Sequence, residues 1–285
     1  MPELLLNHSS LNDALAANTA AKRWCVALSG GPDSTVLLHL LCEWRAEHPS
    51  EAPALLAIHI NHHMQADADS WQAHCETLCS SWNVPLIVRD ALVQGSGQGE
   101  EAAARQARYQ LFEVEIGAGD ILFMGHHLDD QVETYFLRLM RGSGLSGLSA
   151  MPAQRALGGG QLIRPLLKIE RSALAAYASA HQLQSIQDPS NLDTSLDRNY
   201  LRQEVLPLLA RRWSGYRQTV ARAAEHAAVS QAVVNECLPA PGTVRSALGD
   251  PGIEQRVLNA LSPEAAMITL RNWLRSGALP MPDQL

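Results

Sequence analysis

Over the first half of this chain, four short apolar runs are each followed by a segment long enough for a helix. They are Trp24 to Leu28, Ala54 to Ile60, Pro85 to Val88 and Asp120 to Gly125. Strands that alternate with helices pair in parallel, so the expected fold is α/β, with a doubly wound parallel sheet whose ligand sites lie at the carboxyl ends of the strands. The segment after the first run supports this. It sets Val36, Leu37, Leu40 and Leu41 along one stripe, as a helix packed on a sheet requires. Glu100 to Phe112 and Asp130 to Met140 read as further helices.

Beyond residue 141 the texture changes. RGSGLSGLSAMP is a glycine and serine loop too long for a simple hairpin, and loops of that length are commonly functional. A short extended piece, LIRPLL at 162–167, leads into a helix starting near Ile169, and QDPSNLDTSLD at 187–197 is another polar loop. From Arg198 the chain reads as helical, with a break at LPAPG, residues 238–242. The expected division is a sheet domain over 1–215 followed by a smaller helical C-terminal region over 216–285. The closing ALPMPDQL has neither a charged tail nor a capping pattern, so a fragment of a longer protein is expected.

The 285 residues carry a net charge of −7, which argues against a protein that coats nucleic acid indiscriminately. The charge is unevenly spread. Arg198, Arg202, Arg211, Arg212, Arg217 and Arg222 fall within one stretch whose only acid is Glu204. Such a series suits a nucleic-acid backbone track or a solvated helix face, and the sequence leaves both open. No apolar run approaches a membrane span and MPELLLNHSS lacks the basic start of a signal peptide, so no membrane partner and a cytoplasmic location are expected. Cys25, Cys42, Cys75, Cys79 and Cys237 are an odd number at scattered spacings, which favours plain buried cysteines over a disulfide framework or a metal site. His59, His62 and His63, in IHINHH, read as a strand end lining a pocket rather than as a zinc site.

SGGPDS, residues 29–34, sits between the first apolar run and its helix. Unpaired N–H groups of a first helical turn stabilise an anion. Gly30 and Gly31 allow close approach and positive φ, Pro32 suits the first helical position, and Ser29 and Ser34 add hydroxyl donors. The glycines alone fit a tight turn with Ser29 as an ordinary cap equally well. Asp33 decides the matter. A carboxylate beside a polyphosphate repels it unless a divalent cation bridges them, and hard oxygen ligands suit Mg²⁺. The loop therefore suits metal-bound pyrophosphate, unlike the lysine-bearing loop of γ-phosphate chemistry.

HHLDDQVET, residues 126–134, follows the fourth apolar run. On a helix Asp130 and Glu133 share a face and Asp129 lies one turn from Glu133, so unneutralised they repel and a cationic ligand would relieve them. Acids favouring the dipole of a helix start are the alternative.

Taken together, SGGPDS at 29–34, EAAARQARY at 101–109, GHHLDDQVET at 125–134, RGSGLSGLSAM at 141–151, RPLL at 164–167 and DPSNLDTSLDRNYLR at 188–202 resemble the N-type ATP pyrophosphatases with a PP-loop, and among them the tRNA(Ile)-lysidine synthetase family. The resemblance implies an adenine nucleotide alpha hydrolase-like fold, with 1–215 as catalytic domain and 216–285 as a helical tRNA-contacting region. It implies a ligase that uses ATP and Mg²⁺ to join free L-lysine to C2 of the wobble cytidine of the CAU-anticodon tRNA(Ile), through an adenylated intermediate. Ser29, Gly30, Gly31, Pro32, Asp33 and Ser34 would bind ATP, with Asp33 recruiting the metal. Asp130 and Glu133 would hold lysine, and His126 would contact the cytosine. Arg105 and Arg198 would stabilise the phosphate or the adenylate, though each also fits a surface ion pair. Asp130 and Glu133 are candidate bases on the ground that a carboxylate among acids has a raised pKa. The alternatives are a tRNA thiolase of the same group, made less fitting by the lack of a C-x-x-C, and a catalytically silent tRNA-binding module.

Overall fold

The computed structural model describes residues 6–64, 67–91, 100–238, 241–246 and 248–277. ALPMPDQL, the first five residues and part of LPAPG lie outside the described residues. Along the chain run α1 (Asn12–Ala16), β1 (Arg23–Ala27), α2 (Pro32–Glu47), β2 (Ala54–Asn61), α3 (Ala68–Ser81), β3 (Leu86–Asp90), α4 (Glu100–Glu115), β4 (Asp120–Phe123), α5 (Leu128–Met140) and α6 (Leu145–Leu148). They are followed by β5 (Gln154–Leu157), β6 (Gly160–Ile163), α7 (Arg171–Ala180), α8 (Asp197–Tyr200), α9 (Leu206–Arg212), α10 (Tyr216–Cys237), β7 (Val244–Arg245), β8 (Pro251–Gly252), α11 (Gln255–Asn259) and α12 (Pro263–Ser276). The chain divides into two compact units, Met1–Gly142 with Ala150–Arg222, and Ser143–Ser149 with Ala223–Leu285.

The first unit is built on a six-stranded sheet of order β3-β2-β1-β4-β6-β5, parallel except for β5. Alternation along the strands feeds two cores. Trp24, Val26 and Phe123 point into one, with Val36, Leu37, Leu40 and Leu41 of α2, while Cys25 and Leu122 point into the other with Phe112 of α4 and Ile116 just beyond it. Trp24 has no exposed surface and its ring lies 5.3 Å from Trp44 and 5.4 Å from Phe123. Truncating such a side chain to alanine costs about 3–5 kcal/mol. Cys75 and Cys79 are buried in the first core.

The antiparallel β5 is an element the apolar runs did not announce. Its partner β6 begins just after Gly158 and Gly159, a two-residue turn of the kind that closes hairpins, and Gly158 takes a φ of +54°. The glycine and serine loop after Met140 contains the short helix α6. The helical stretch from Asp197 is interrupted by a π-helical turn, Leu201–Val205, in which the N–H of Leu206 reaches the carbonyl of Leu201. Pro207 supplies a reason, since it has no N–H to offer the carbonyl four residues earlier.

Described by itself, the second unit is mostly helical, with β7 and β8 pairing as a short antiparallel ladder. The buried Trp273 donates its indole N–H to Thr243 Oγ1 at 3.1 Å. Among the described residues no helix is long and apolar enough to cross a membrane.

Candidate active site

In this strand order the chain moves outward from β1 to β2 and β3, then returns to place β4 on the other side of β1. The crevice between the carboxyl ends of β1 and β4 is therefore a topological switch point, where open α/β sheets bind ligands. SGGPDS follows β1 and GHHLDD follows β4. Gly125 brings the two turns together, for a Cβ there would stand 2.9 Å from the carbonyl oxygen of Asp33.

The loop after β1 is closed largely by its own atoms, and the N–H of Ile186 also donates to the carbonyl of Gly30 at 2.9 Å. Ser34 Oγ accepts from the N–H of Ser29 at 3.2 Å and donates to the carbonyl of Gly31 at 3.0 Å, while Ser29 Oγ accepts from the N–H of Gly31 at 3.3 Å. The two hydroxyls lie 3.1 Å apart. They brace the turn in this state rather than standing free as donors, which revises that part of the expectation. The glycines also divide. Gly30 has φ +81°, and a Cβ on it would lie 2.5 Å from Ile186 Cδ1 and 3.1 Å from Cys75 Sγ. Gly31 is the N-cap of α2 at φ −71°, so only Gly30 takes the left-handed conformation foreseen for both. Pro32 occupies the first helical position, as expected. The backbone N–H groups of Asp33 and Ser34 belong to the first turn of α2 and have no partner within the helix.

Facing this loop, His127 caps the start of α5 and is buried, with 1% of its side chain exposed. Its Nε2 lies 3.5 Å from both Asp33 Oδ2 and Asp130 Oδ2, and Nδ1 lies 3.9 Å from Asp129 Oδ2. Burial disfavours the imidazolium, but Asp33, Asp130 and Asp129 outweigh it and the pKa is raised. His127 thus lies between the loop and the acid helix, within reach of both. Asp130 Oδ2 also accepts the backbone N–H of His127 at 3.1 Å. Burial alone would raise the pKa of Asp130, yet His127, His126 and Arg198 together hold it below the ordinary carboxylate value. The ground for treating Asp130 as a base, a raised pKa among like charges, does not hold here, because cations dominate its surroundings.

The remaining acids of α5 are likewise neutralised by the chain itself. Glu133, 1% exposed, receives Arg202 Nε at 2.6 Å and Nη2 at 2.9 Å, and Arg198 Nε lies 3.1 Å away. Arg202 Nη2 is also 3.7 Å from Asp130 Oδ1. Asp129 accepts Arg217 Nε at 2.6 Å and the backbone N–H of Arg171 at 2.9 Å. Arg198, Arg202 and Arg217 therefore turn inward and leave the arginine series that had suggested a continuous outward track. Arg202 is carried on the π-helical turn, a distortion often found at functional sites. Beside Glu133 opens a cavity of about 520 Å³, whose wall includes Asp129, Arg171, Arg202, Leu206 and Tyr216. Asp130 is not part of that wall.

His126 lies on the other flank. Arg164, 4% exposed, donates Nε to His126 Nδ1 at 3.3 Å and Nη1 to the carbonyl of Pro152 at 2.7 Å. Burial lowers the pKa of His126; Asp130 opposes this, and Arg164, Arg105 and Arg198 add to it. A neutral ring whose Nδ1 accepts must carry its proton on Nε2, so His126 presents one N–H donor. Arg105 and Arg155 both stand over the ring of Tyr109, each 5.0 Å from its centroid. Burial raises the pKa of Tyr109, but Arg105, Arg164 and Arg155 outweigh it and the net shift is downward. His59 belongs to the strand end behind the loop, with Nδ1 2.9 Å from the carbonyl of Leu28, and is kept neutral by burial.

The structure thus brings together Asp33, Asp130, Glu133 and Arg198, and sets His126 next to them through the field of Asp130. Arg105 stands on Tyr109, on the flank of Arg164 and His126, and its charge reaches the His126 ring. Sequence reasoning did not give His127, Arg202 or Arg164 the places they take here. The Arg198 and Arg202 spacing of one helical turn, matching that of the acids on α5, was the available signal for Arg202.

The PP-loop domain family matches residues 6–209, and the chain belongs to it. Within that class the chain is 48% identical over 269 residues to the tRNA(Ile)-lysidine synthase of Pseudomonas putida, covering 92% of this chain and 62% of that protein. It is 51% identical over 227 residues to the tRNA(Ile)-lysidine synthase of Pseudomonas aeruginosa, covering 79% of this chain and 50% of the relative. The chain accordingly spans about half to two thirds of the length of these curated relatives. A U34-tRNA thiolase from Methanococcus maripaludis superposes with a TM-score of 0.62 at 18% identity, covering 77% of each chain, a likeness of fold.

Proposed function

We propose that this chain carries the ATP-consuming site of an enzyme that joins free L-lysine to C2 of the wobble cytidine in an isoleucine tRNA with a CAU anticodon, forming lysidine. The observation that supports it most is the meeting, at one switch point, of a lysine-free phosphate loop and a helix start rich in carboxylates, bridged by His127. The name shared by the relatives points the same way.

In the first step the C2 carbonyl oxygen attacks the α-phosphorus of ATP, the α–β bond breaks and pyrophosphate leaves. The loop from Ser29 to Ser34 holds the leaving group at the positive end of α2, where the N–H groups of Asp33 and Ser34 point outward. Asp33 keeps a third of its side chain exposed and offers hard carboxylate oxygens, so it would hold Mg²⁺ at the phosphate loop. The ion would supply positive charge against the departing pyrophosphate. Arg198, and Arg105 from its patch on Tyr109, lend positive charge to the adenylate.

In the second step the ε-amine of lysine attacks C2 and the C2–O bond breaks, releasing AMP with the oxygen. His126 offers its Nε2–H to the cytosine ring and so fixes the base. Asp130 and Glu133 hold the amino acid by its ammonium groups. Since both oxygens of Glu133 are taken by Arg202, the ammonium enters by exchange with that guanidinium. The adjoining cavity has apolar walls in Leu206, Pro207 and Ala210 for the four methylenes.

The test is pyrophosphate release by the chain, which should require lysine and tRNA together. Replacing Asp130→Asn should weaken lysine binding about 10- to 100-fold, the range for a hydrogen bond to a charged group. Full lysine affinity in that variant would remove Asp130 from the lysine site.

A further inference from the structure

The inward turn of Arg198, Arg202 and Arg217 leaves Arg211 and Arg212 as a separate, outward pair, both exposed. They share one stripe of α9 with Leu208, three and four residues earlier, whose surface is 59% exposed. The opposite face of the same helix carries Leu206 and Ala210 into the cavity beside Glu133. At the end of the stripe stands Trp213, 59% exposed, and among the described residues its indole has no hydrogen bond or ring contact. Arginines in a last turn favour the helix dipole, which accounts for their presence but not for a bare indole beside them. An exposed aromatic ring flanked by cations without acidic partners is the combination that binds unpaired nucleotides, the ring stacking on a base and the cations meeting phosphates. Glu204, the acid on this stripe, lies about two turns back toward the site.

We propose that the solvent face of α9 and the indole of Trp213 form a contact for the RNA substrate, with Arg211 and Arg212 on its phosphates and Trp213 stacked on an unpaired base. This rests on the tRNA reading above and extends it to a named surface. Trp213 follows Arg202 by eleven residues of nearly continuous helix, a span of about 16 Å. That places the contact a few nucleotides from the base being modified. The overall charge of −7 makes a local cationic face the natural place for RNA to settle on this chain.

The experiment titrates a CAU-anticodon tRNA(Ile) transcript into the wild-type chain, Trp213→Ala, Trp213→Phe and the double variant Arg211→Ala/Arg212→Ala, at several salt concentrations. ATP binding serves as the check on folding. Trp213→Ala should bind the transcript about 5- to 150-fold more weakly, the range for loss of one stacked base, and Trp213→Phe should recover most of that loss. The double variant should lower the slope of log Kd against log salt by about 1.4, for two contacts to single strand. If wild type captures tRNA while Trp213→Ala and the double variant match it in affinity and slope, the surface is wrong and the tRNA reading stands. If Trp213→Ala instead alters sedimentation with tRNA affinity unchanged, the face is a protein contact and the proposal is overturned. If wild type binds no tRNA, both readings fall together.

Discussion

The two turns that meet at the switch point are built on opposite principles. The loop from Ser29 to Ser34 is held mainly by short-range hydrogen bonds among its own residues, with one long-range bond, from the N–H of Ile186 to the carbonyl of Gly30 at 2.9 Å. The start of α5 is held by side chains that arrive from far along the chain, Arg202 from 69 residues away and Arg217 from 88. A locally braced turn depends on its two serine hydroxyls and on the conformation of Gly30. A charge-built one depends on every partner. His127 couples them, since its ring lies equally close to Asp33 of the loop and Asp130 of the helix.

The comparison breaks most readily on the charge-built side. Removing one partner of a buried ion pair is costly, and Arg198 at 3.1 Å still compensates Glu133 in part, so Arg202→Ala should lose stability toward the lower end of about 3–5 kcal/mol in urea unfolding. Because lysine is proposed to exchange with that guanidinium, added lysine should raise the midpoint of Arg202→Ala more than that of wild type. Equal response to lysine would separate Arg202 from the amino-acid site.

On the locally braced side the two glycines should behave differently. Gly30→Ala forces a left-handed residue, costing about 1–2 kcal/mol before any clash with Ile186 is relieved. Gly31→Ala, at an ordinary φ and within easy contact of Ser29 Oγ alone, should cost no more than about 1 kcal/mol as a poorer cap. Similar losses at both positions would show that the loop is not specified by its one left-handed residue.

A subtler effect is expected at His126. Its folded-state pKa lies below the ordinary 6.5, so the unfolded chain takes up a proton there that the folded chain refuses. By linkage, stability from this group is present above pH 6.5 and is lost as the pH falls below it toward the folded value. Nitrogen NMR should find the ring neutral with its proton on Nε2 as the pH drops through 6.5. Arg164→Gln should shift the ring toward a mixture of tautomers, whereas an unchanged signal would mean that Arg164 does not set it.

Much of the frame was legible because it is local. The four apolar runs became β1 to β4 within a few residues, and SGGPDS fell at the turn between β1 and α2 as expected. The hairpin strand β5 was missed because four residues of mixed burial carry little period, although the glycines at 158–160 marked its turn. The acids of α5 were visible, but their neutralisation was not. Which arginine reaches Glu133 depends on where the π-helical turn at Leu201–Val205 puts Arg202, and no sequence period encodes that register. The same reasoning read Arg198 to Arg222 as one series, where packing splits it into members facing α5 and members facing solvent.

The central claim, that a pyrophosphate loop and an acid helix here serve one lysine-adding reaction, is tested most directly by weighing the tRNA. A CAU-anticodon tRNA(Ile) transcript incubated with the chain should gain the mass of one lysine less one water, and only when ATP and lysine are both present. Gain of sulfur from a sulfur donor, or cleavage of ATP to AMP with no lysine in the tRNA, would contradict it.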